Sequence, residues 1–141
     1  PHNCKPNCIV IDIDGVISLH NGRLPYDWNK LNTDRFDLRM LELIRKLNRS
    51  GNHIVFLTGR PESVRGNTTS WLETYLFELQ YDLIMRPVND NRSGDIIKKE
   101  LWEKYVEPYY NTLCVFEDSN KCVNMWRDLG LLTCQVANGD Y

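Results

Sequence analysis

The chain of 141 residues lacks the features that mark membrane, secreted or zinc-binding proteins. No apolar run approaches the roughly 18 residues of a membrane-spanning helix, and residues 1–6 show no signal-peptide pattern. The five cysteines are odd in number and no two have Cys-x-x-Cys spacing, which argues against zinc and against a complete disulfide framework. We therefore expect a cytoplasmic, reducing compartment, with Cys8, Cys114 and Cys134 serving as small core residues of strands.

Positive charge is not in excess either. With 17 Lys and Arg against 19 Asp and Glu, the formal net charge is −2. Sequence-independent binding along a nucleic-acid duplex needs many phosphate contacts, so this charge balance argues against it. The balance still allows recognition of one terminal phosphate. The chain also has no Gly-x-x-x-x-Gly-Lys-Ser/Thr loop, which argues against a kinase-type nucleotide site.

The hydrophobic pattern alternates between strands and helices. With 42% hydrophobic and 26% charged residues, residues 1–141 are expected to form a single domain, in which 1–7 are an N-terminal extension and 15–32 a loop or small flap. The alternation predicts an α/β fold, a Rossmann-like parallel sheet of about five strands with helices on both faces. The predicted strands are 8–13, 53–57, 82–85, 113–116 and 131–136; the predicted helices begin after Thr33, near Ser63, after Ser93 and after Ser119.

Two carboxylates, Asp12 and Asp14, follow the first apolar run. At the end of a strand that continues through them, they point the same way. Neighbouring like charges repel, so the pair suggests a divalent cation or a nucleophile beside a general acid/base. The alternative is an ordinary strand that runs into an Asp-Gly turn at Gly15.

Other polar residues follow later strands. Thr58 and Gly59 end the second run, where a hydroxyl and backbone amides can hold a phosphate. Glu117 and Asp118 end the fourth run, and Lys98 lies on the helix that enters it. In a parallel sheet these ends line up along one edge. Oxygen ligands of this kind favour magnesium.

The order of these motifs resembles the haloacid dehalogenase superfamily of phosphotransferases. A closer resemblance is to the phosphatase domains of phage polynucleotide kinase-phosphatases, which remove 3′-phosphates from DNA and RNA ends. The residues that carry the superfamily resemblance are Asp12-x-Asp14-Gly15, Thr58-Gly59-Arg60, Lys98 and Glu117-Asp118. Those that carry the closer one are Asn21-Gly22-Arg23-x-Pro25-Tyr26-Asp27, Thr58-Gly59-Arg60-x-Glu62-Ser63, Met125-Trp126-Arg127-x-x-Gly130 and residues 135–140.

The resemblance implies a covalent mechanism. Asp12 is expected to be the nucleophile that forms an aspartyl-phosphate, and Asp14 the general acid and then the general base. Lys98 is expected to offset negative charge at the reaction centre.

The resemblance also implies a Mg²⁺ cofactor and a phosphate clamp. The cation is expected on Asp12, the backbone carbonyl of Asp14 and Asp118, with Glu117 in the outer sphere. The phosphate contacts are assigned to a further set of groups, namely Thr58, Gly59, Arg60 and Arg23.

Two departures from that family stand out. Glu117 replaces an aspartate of the usual acidic pair, and Gly94 stands where the related phosphatases have an acidic residue, with Asp95 next to it as a substitute.

Short spacings between the motifs leave no room for a large mobile cap. The open site that results suits a nucleic-acid 3′ end, DNA or RNA, better than an enclosed metabolite. The alternatives are a small-molecule phosphatase, for nucleotides or sugar phosphates, and a degenerate oligomerisation module. The resemblance further implies that the chain could form a homo-oligomer, that a separate kinase or ligase could act in the same pathway, and that a viral source would place the protein in the host cytoplasm.

Overall fold

Five parallel strands form the central sheet. The computed structural model describes residues 4–19 and 34–141. The strands of the central sheet in these ranges are β1 (Asn7–Ile11), β4 (His53–Pro61), β5 (Tyr81–Arg86), β6 (Asn111–Glu117) and β7 (Thr133–Gln135), and a separate antiparallel pair consists of β2 (Ser18–Leu19) and β3 (Arg35–Phe36). The strand order in the central sheet is β5-β4-β1-β6-β7. The predicted parallel α/β sheet is confirmed, and its middle strand, β1, is the one that leads into Asp12.

Helices cover both faces of the sheet, as predicted. Alternate residues of β1 enter opposite cores, because successive side chains of a strand point to opposite faces. Ile9 and Ile11 pack with residues of α1 and α2, whereas Cys8 and Val10 pack with residues of α3 and α4. The helices are α1 (Leu38–Arg49), α2 (Arg65–Leu76), which follows a 3₁₀ turn over Glu62–Val64, α3 (Gly94–Tyr105) and α4 (Asn120–Asp128).

The first helix begins later than predicted. Its N-cap is Asp37, whose carboxylate accepts hydrogen bonds from the backbone amides of Arg39 and Met40. The preceding Phe36 belongs to β3 and is paired with Ser18, so the chain is still extended there. The predicted cap Thr33 lies outside the described residues, and its assignment is wrong because the carboxylate of Asp37 satisfies the first amides of α1.

Two other details differ from the prediction. Strand β4 continues to Pro61 instead of ending near residue 57, with a register shift against β5 between Thr58 and Pro61. Cys134 is exposed and is therefore not a core residue, unlike Cys8 and Cys114. The reason is its position on β7, the edge strand, in which only Thr133 is buried.

The carboxyl ends of β1, β4 and β6 lie side by side. Register pairs join Ile11 to Phe56 and to Phe116, so the residues that follow these strands share one edge. Helix α3 follows β5 in the chain, and helix α4 follows β6. No helix in the described part of the chain is long and apolar enough to cross a membrane.

Candidate active site

Asp12 lies at the centre of the carboxyl edge. Strand β1 ends at Ile11, one residue earlier, but the Asp12 amide still donates to the carbonyl of Phe116, at 3.1 Å, and continues the ladder. A tight turn follows, in which the amides of Val16 and Ile17 donate to the carbonyl of Ile13. Asp12 is buried beside this turn, and its side chain is 8% exposed.

A buried lysine joins two of the carboxylates. Lys98 Nζ lies 3.1 Å from Asp12 Oδ1 and 2.9 Å from Glu117 Oε2. All three side chains are buried. Lys98 reaches the edge from the second turn of α3, so the helix delivers the ammonium between the ends of β1 and β6.

Burial and neighbouring charges shift the pKa values of Asp12, Lys98 and Glu117. Burial raises the pKa of Asp12 well above its ordinary value, and the negative Glu117 raises it further, against the opposing effect of Lys98. Burial alone would lower the pKa of Lys98, but Asp12 and Glu117 outweigh it and raise the pKa. Burial also opposes ionisation of Glu117, yet the adjacent ammonium keeps its pKa below the ordinary value. Burial and Glu117 thus favour the protonated form of Asp12, whereas the adjacent Lys98 ammonium favours its ionised form.

Asp118 completes the acidic cluster. Ligand oxygens of Asp12, Glu117 and Asp118 lie within 4.8 Å of one another. The Tyr141 hydroxyl donates to Asp118 Oδ2. Burial raises the pKa of Asp118, and the hydrogen bond from Tyr141 partly offsets that increase.

The donor set fits a hard divalent cation. Among the described residues, this cluster sets three carboxylates against one ammonium, so two negative charges remain when all four groups are ionised. Ligand oxygens about 2.1 Å from Mg²⁺ lie at most about 4.2 Å apart, so a small adjustment would bring the cluster to that spacing. Both Glu117 oxygens already accept protein hydrogen bonds, from Lys98 and Trp126 at Oε2 and from the Asp118 amide at Oε1. Asp118 is therefore better placed than Glu117 to bind a cation directly.

Gly15 lies against the same cluster. Its φ is +80°, and a Cβ atom there would overlap the carboxylate of Asp118. An L side chain at this position would be strained by the backbone and would displace Asp118 as well. The Asp-Gly pair therefore serves the site as well as the turn.

Asp14 turns away from Lys98 toward a buried arginine. Its two carboxylate oxygens accept from Nε and Nη2 of Arg60, at 2.9 and 2.8 Å. Arg60 also donates to Asp34, at 3.2 Å, and to Thr68, at 3.2 Å. The Asp14 side chain remains 28% exposed, whereas the Arg60 side chain is 1% exposed.

This arrangement bears on the role of Arg60. Its described contacts are with protein groups, and they hold the Asp14 carboxylate in a bidentate pair. The assignment of Arg60 as a phosphate contact stays a prediction, and the contacts add a second role, that of orienting Asp14.

Thr58 and Gly59 lie at the end of β4. Thr58 is fully buried, and its hydroxyl oxygen accepts from the amide of Arg60, at 3.1 Å. That contact leaves the hydroxyl hydrogen available to another acceptor at the edge. The predicted phosphate contact Arg23 lies outside the described residues.

The compensation by Asp95 for the acidic residue missing at Gly94 stays a prediction. Its carboxylate accepts from the hydroxyl of Ser93 at the start of α3. A Cβ atom at Gly94 would instead have the guanidinium of Arg86 as its nearest neighbour, at 4.0 Å. Nothing in the sequence marks this arginine, because it is the last residue of its strand and has no acidic or hydroxyl residue beside it.

Other residues of the site were also missed. Tyr141, Asp34 and Ser18 contact the predicted groups, but each lies more than 20 residues from its partner in the sequence. Tyr141 follows the 135–140 stretch that resembles the phage domains, and this proximity was the one available signal.

The sheet order and the edge cluster define a phosphatase fold of the haloacid dehalogenase type. A D,D-heptose bisphosphate phosphatase from B. bronchiseptica superposes with a TM-score of 0.68 over 90% of this chain and 78% of that one. At 14% identity this likeness establishes the fold alone.

The sequence narrows the class to one family. The profile of the polynucleotide kinase PNKP phosphatase domain matches residues 6–141, and the chain belongs to that family. It is 32% identical over 138 residues to a protein of Autographa californica nuclear polyhedrosis virus named as a bifunctional polynucleotide kinase/RNA ligase. It also superposes on a chain of the Pnkp1/Rnl/Hen1 RNA repair complex, with a TM-score of 0.92 and 32% identity over 99% of its length.

These relatives are much longer than this chain. The match spans 96% of the chain but only 20% of the viral relative, and 45% of the matched chain in the repair complex. The likeness therefore concerns one domain of each relative.

Proposed function

We propose that this chain is a Mg²⁺-dependent phosphatase that removes the 3′-phosphate from nucleic-acid ends through an aspartyl-phosphate on Asp12. The single observation that carries the proposal is the buried Asp12–Lys98–Glu117–Asp118 cluster at the carboxyl edge of the sheet. Membership of the PNKP phosphatase family supports the substrate class.

The first half-reaction transfers the phosphoryl group to the protein. A carboxylate oxygen of Asp12 attacks phosphorus, the bond from phosphorus to the 3′ oxygen breaks, and Asp14 donates a proton to that leaving oxygen. The bidentate contact of Arg60 fixes the direction of the Asp14 side chain. A guanidinium favours the ionised carboxylate, so Asp14 must carry a proton when this step begins, and it regains that proton from water in the second half-reaction.

The second half-reaction releases inorganic phosphate. Asp14 accepts a proton from the water that attacks the aspartyl-phosphate, and Asp12 leaves as a carboxylate. Asp14→Asn is therefore expected to reduce both steps by about 10²–10⁴-fold.

Three groups would bind the phosphoryl oxygens and their charge. The Thr58 hydroxyl, whose oxygen already accepts from the Arg60 amide, has its hydrogen available for a phosphoryl oxygen. The Gly59 amide would supply a second donor. Lys98 would stabilise the charge of Asp12 and of the transferring group.

Asp12, Asp118 and the backbone carbonyl of Asp14 would hold magnesium, with Glu117 behind them. When bound, the cation would supply positive charge that keeps Asp12 ionised and offsets the charge on the phosphoryl oxygens. This set agrees with the observation that Glu117 is already occupied by protein donors.

The absence of a large insertion supports a polymer end as substrate. Between Thr58 and Lys98 the structure has only the 3₁₀ turn, α2, β5 and the start of α3. The relatives are named for RNA repair and for polynucleotide kinase and RNA ligase activity, and we propose that a separate kinase or ligase acts on the same ends.

The test is phosphate release from a 3′-phosphorylated oligonucleotide, with Mg²⁺ or with EDTA, beside a 5′-phosphorylated control. Mg²⁺-dependent release from the 3′ end alone is the expected result. Equal kcat/KM values for para-nitrophenyl phosphate, mononucleotides and the oligonucleotide would replace the polymer substrate with a small-molecule one. If none of these substrates is turned over in the presence of metal, the phosphatase proposal fails and the chain is better described as a degenerate oligomerisation module.

A further inference from the structure

Arg86 joins the two loops that flank the proposed phosphate site. It is the last residue of β5, and its guanidinium donates to three backbone carbonyls. Nε donates to the carbonyl of Gly59 at 2.8 Å, and Nη1 donates to the carbonyls of Asp90 and Arg92 at 2.8 and 2.7 Å. One end of the side chain thus holds the turn after Thr58, and the other holds the loop before α3.

The contact with Gly59 fixes one peptide unit. The carbonyl of Gly59 and the amide of Arg60 belong to the same planar group, so they point in opposite directions. Arg86 holds the carbonyl side, and Thr58 Oγ1 accepts from the amide side, at 3.1 Å. Rotation of this peptide would break both hydrogen bonds together.

This peptide sets the direction of the Thr58 hydroxyl. Because the oxygen of Thr58 accepts from the Arg60 amide, its hydrogen must point elsewhere, and the proposed phosphate lies at that edge. The same peptide carries the Cα atom of Arg60, whose side chain orients Asp14. The register shift between Thr58 and Pro61 releases residues 59 and 60 from the β5 ladder, so Arg86 replaces the hydrogen bonds that the ladder no longer supplies.

The partners of Arg86 are suited to an arginine in particular. Its described hydrogen bonds all go to carbonyls of two separate loops, and a planar guanidinium can donate in several fixed directions at once. A lysine ammonium at this position cannot span the same three acceptors with the same geometry. Gly94 leaves the space beside Nη2 without a side chain.

We propose that Arg86 is a positioning residue for phosphate binding, which acts through the Gly59–Arg60 peptide on the hydroxyl of Thr58. The inference rests on the proposed phosphatase function and deepens it. It predicts that replacing Arg86 weakens phosphoryl binding when Thr58 is present and has little effect when Thr58 has been replaced.

The test is a double-mutant cycle of Arg86→Gln and Thr58→Val. Turnover of the 3′-phosphorylated oligonucleotide and the affinity for tungstate by calorimetry are measured for each variant. Arg86→Gln is expected to lower both by about 10–100-fold in the parent but by less than about threefold in Thr58→Val, because residues of one network are not additive. Arg86→Lys should restore only part of the loss.

Arg45→Gln is the matched control. Arg45 also donates to a backbone carbonyl, that of Tyr75 at 2.9 Å, but it joins α1 to α2, away from the phosphate turn. Its replacement should change thermal stability without changing tungstate affinity. Equal losses from Arg86→Gln in both backgrounds would overturn the inference. If Arg86→Gln does not fold, the cycle is run with Arg86→Lys, and failure of both to unfold cooperatively would make Arg86 a purely structural residue.

The two proposals fail differently. A parent protein without turnover on any phosphomonoester would reject the phosphatase, while the tungstate cycle would still decide the role of Arg86. An active parent with additive effects would reject Arg86 alone.

Discussion

The two edges of the central sheet both collect polar residues, but they balance charge in different ways. At the amino edge, His53 stacks on Tyr110, with ring centroids 4.9 Å apart, and its Nε2 lies 3.2 Å from Asp82 Oδ2. Cys8 lies next to Thr112, with 3.7 Å between Sγ and Oγ1. The amino edge thus joins a half-exposed carboxylate to a histidine, beside neutral groups.

At the carboxyl edge the charges are buried and unequal in number. Asp12, Glu117 and Asp118 surround a single ammonium, that of Lys98. Burying charge without enough partners is unfavourable, so a cation bound at this edge would offset the remaining negative charge. At the amino edge, burial raises the pKa of the Cys8 thiol to about 11, which keeps it neutral and unreactive. Polar residues alone do not distinguish the edges, whereas an uncompensated buried charge does.

The sharpest way to break this comparison is to remove one carboxylate from each edge. Asp12→Asn should lower kcat by on the order of 10⁴-fold or more, because the amide cannot act as the nucleophile. Asp82→Asn at the amino edge should change kcat by less than about threefold. Both are measured by phosphate release with Mg²⁺, with circular dichroism to confirm the fold.

Appreciable turnover by Asp12→Asn would exclude the covalent mechanism. A loss of similar size in Asp82→Asn would show that the amino edge also serves the reaction, and the contrast between the edges would disappear.

The second test removes the buried ammonium group of Lys98. Lys98→Met leaves Asp12 and Glu117 buried without their ammonium, and breaking a buried ion pair costs about 3–5 kcal/mol of unfolding free energy. The measurement is urea denaturation of the metal-free protein.

The pH dependence of that deficit has a definite sign. The pKa of Lys98 is raised above its ordinary 10.5, so its stabilisation is complete below that pH and is lost above it as the raised pKa is passed. The pKa of Glu117 lies below its ordinary 4.5, so its stabilisation is present above that pH and is lost as the pH falls through the lowered pKa. The pKa of Asp12 is raised, so Asp12 takes up its proton before Glu117 as the pH falls. The deficit of Lys98→Met should therefore be largest at alkaline pH, below the raised pKa of Lys98, and it should shrink toward acid. A deficit that grows toward low pH would contradict the ion-pair geometry.

The third test adds Mg²⁺ to the acidic cluster. Mg²⁺ should raise the Tm of the parent protein, because a ligand that binds only the folded state at 100 times its Kd stabilises it by about 2.7 kcal/mol. Asp118→Asn should abolish the shift, whereas Glu117→Gln should retain part of it. A larger loss in Glu117→Gln would make Glu117 the direct ligand. The readout is thermal unfolding, which needs no turnover.

Several of the site residues that the sequence revealed lie near or just after the carboxyl ends of strands. Asp12, Thr58 and Asp118 could be placed together because parallel strands align their carboxyl ends, and the order of motifs was sufficient. Arg86 and Tyr141 could not, because each acts through contacts that depend on how a loop returns to the edge.

The errors in the predicted elements have a similar origin. Thr33 and Asp37 are both acceptable helix caps, and the choice between them depends on the pairing of Phe36 with Ser18 in the small β2–β3 sheet. Cys134 resembles a core residue in sequence, but its strand lies at the edge of the sheet.

The smallest effect is expected at the amino edge. His53→Gln removes one aromatic stack and one contact with the half-exposed carboxylate of Asp82, which together contribute about 0.5–1.5 kcal/mol to the free energy of unfolding. The Mg²⁺-dependent turnover should stay within about twofold of the parent, because no charge at the carboxyl edge changes. Urea denaturation and phosphate release are measured on the same preparation. A loss of turnover without a loss of stability would mean that the amino edge communicates with the phosphate site along β1 and β4, and the charge imbalance at the carboxyl edge would no longer account for the reaction by itself.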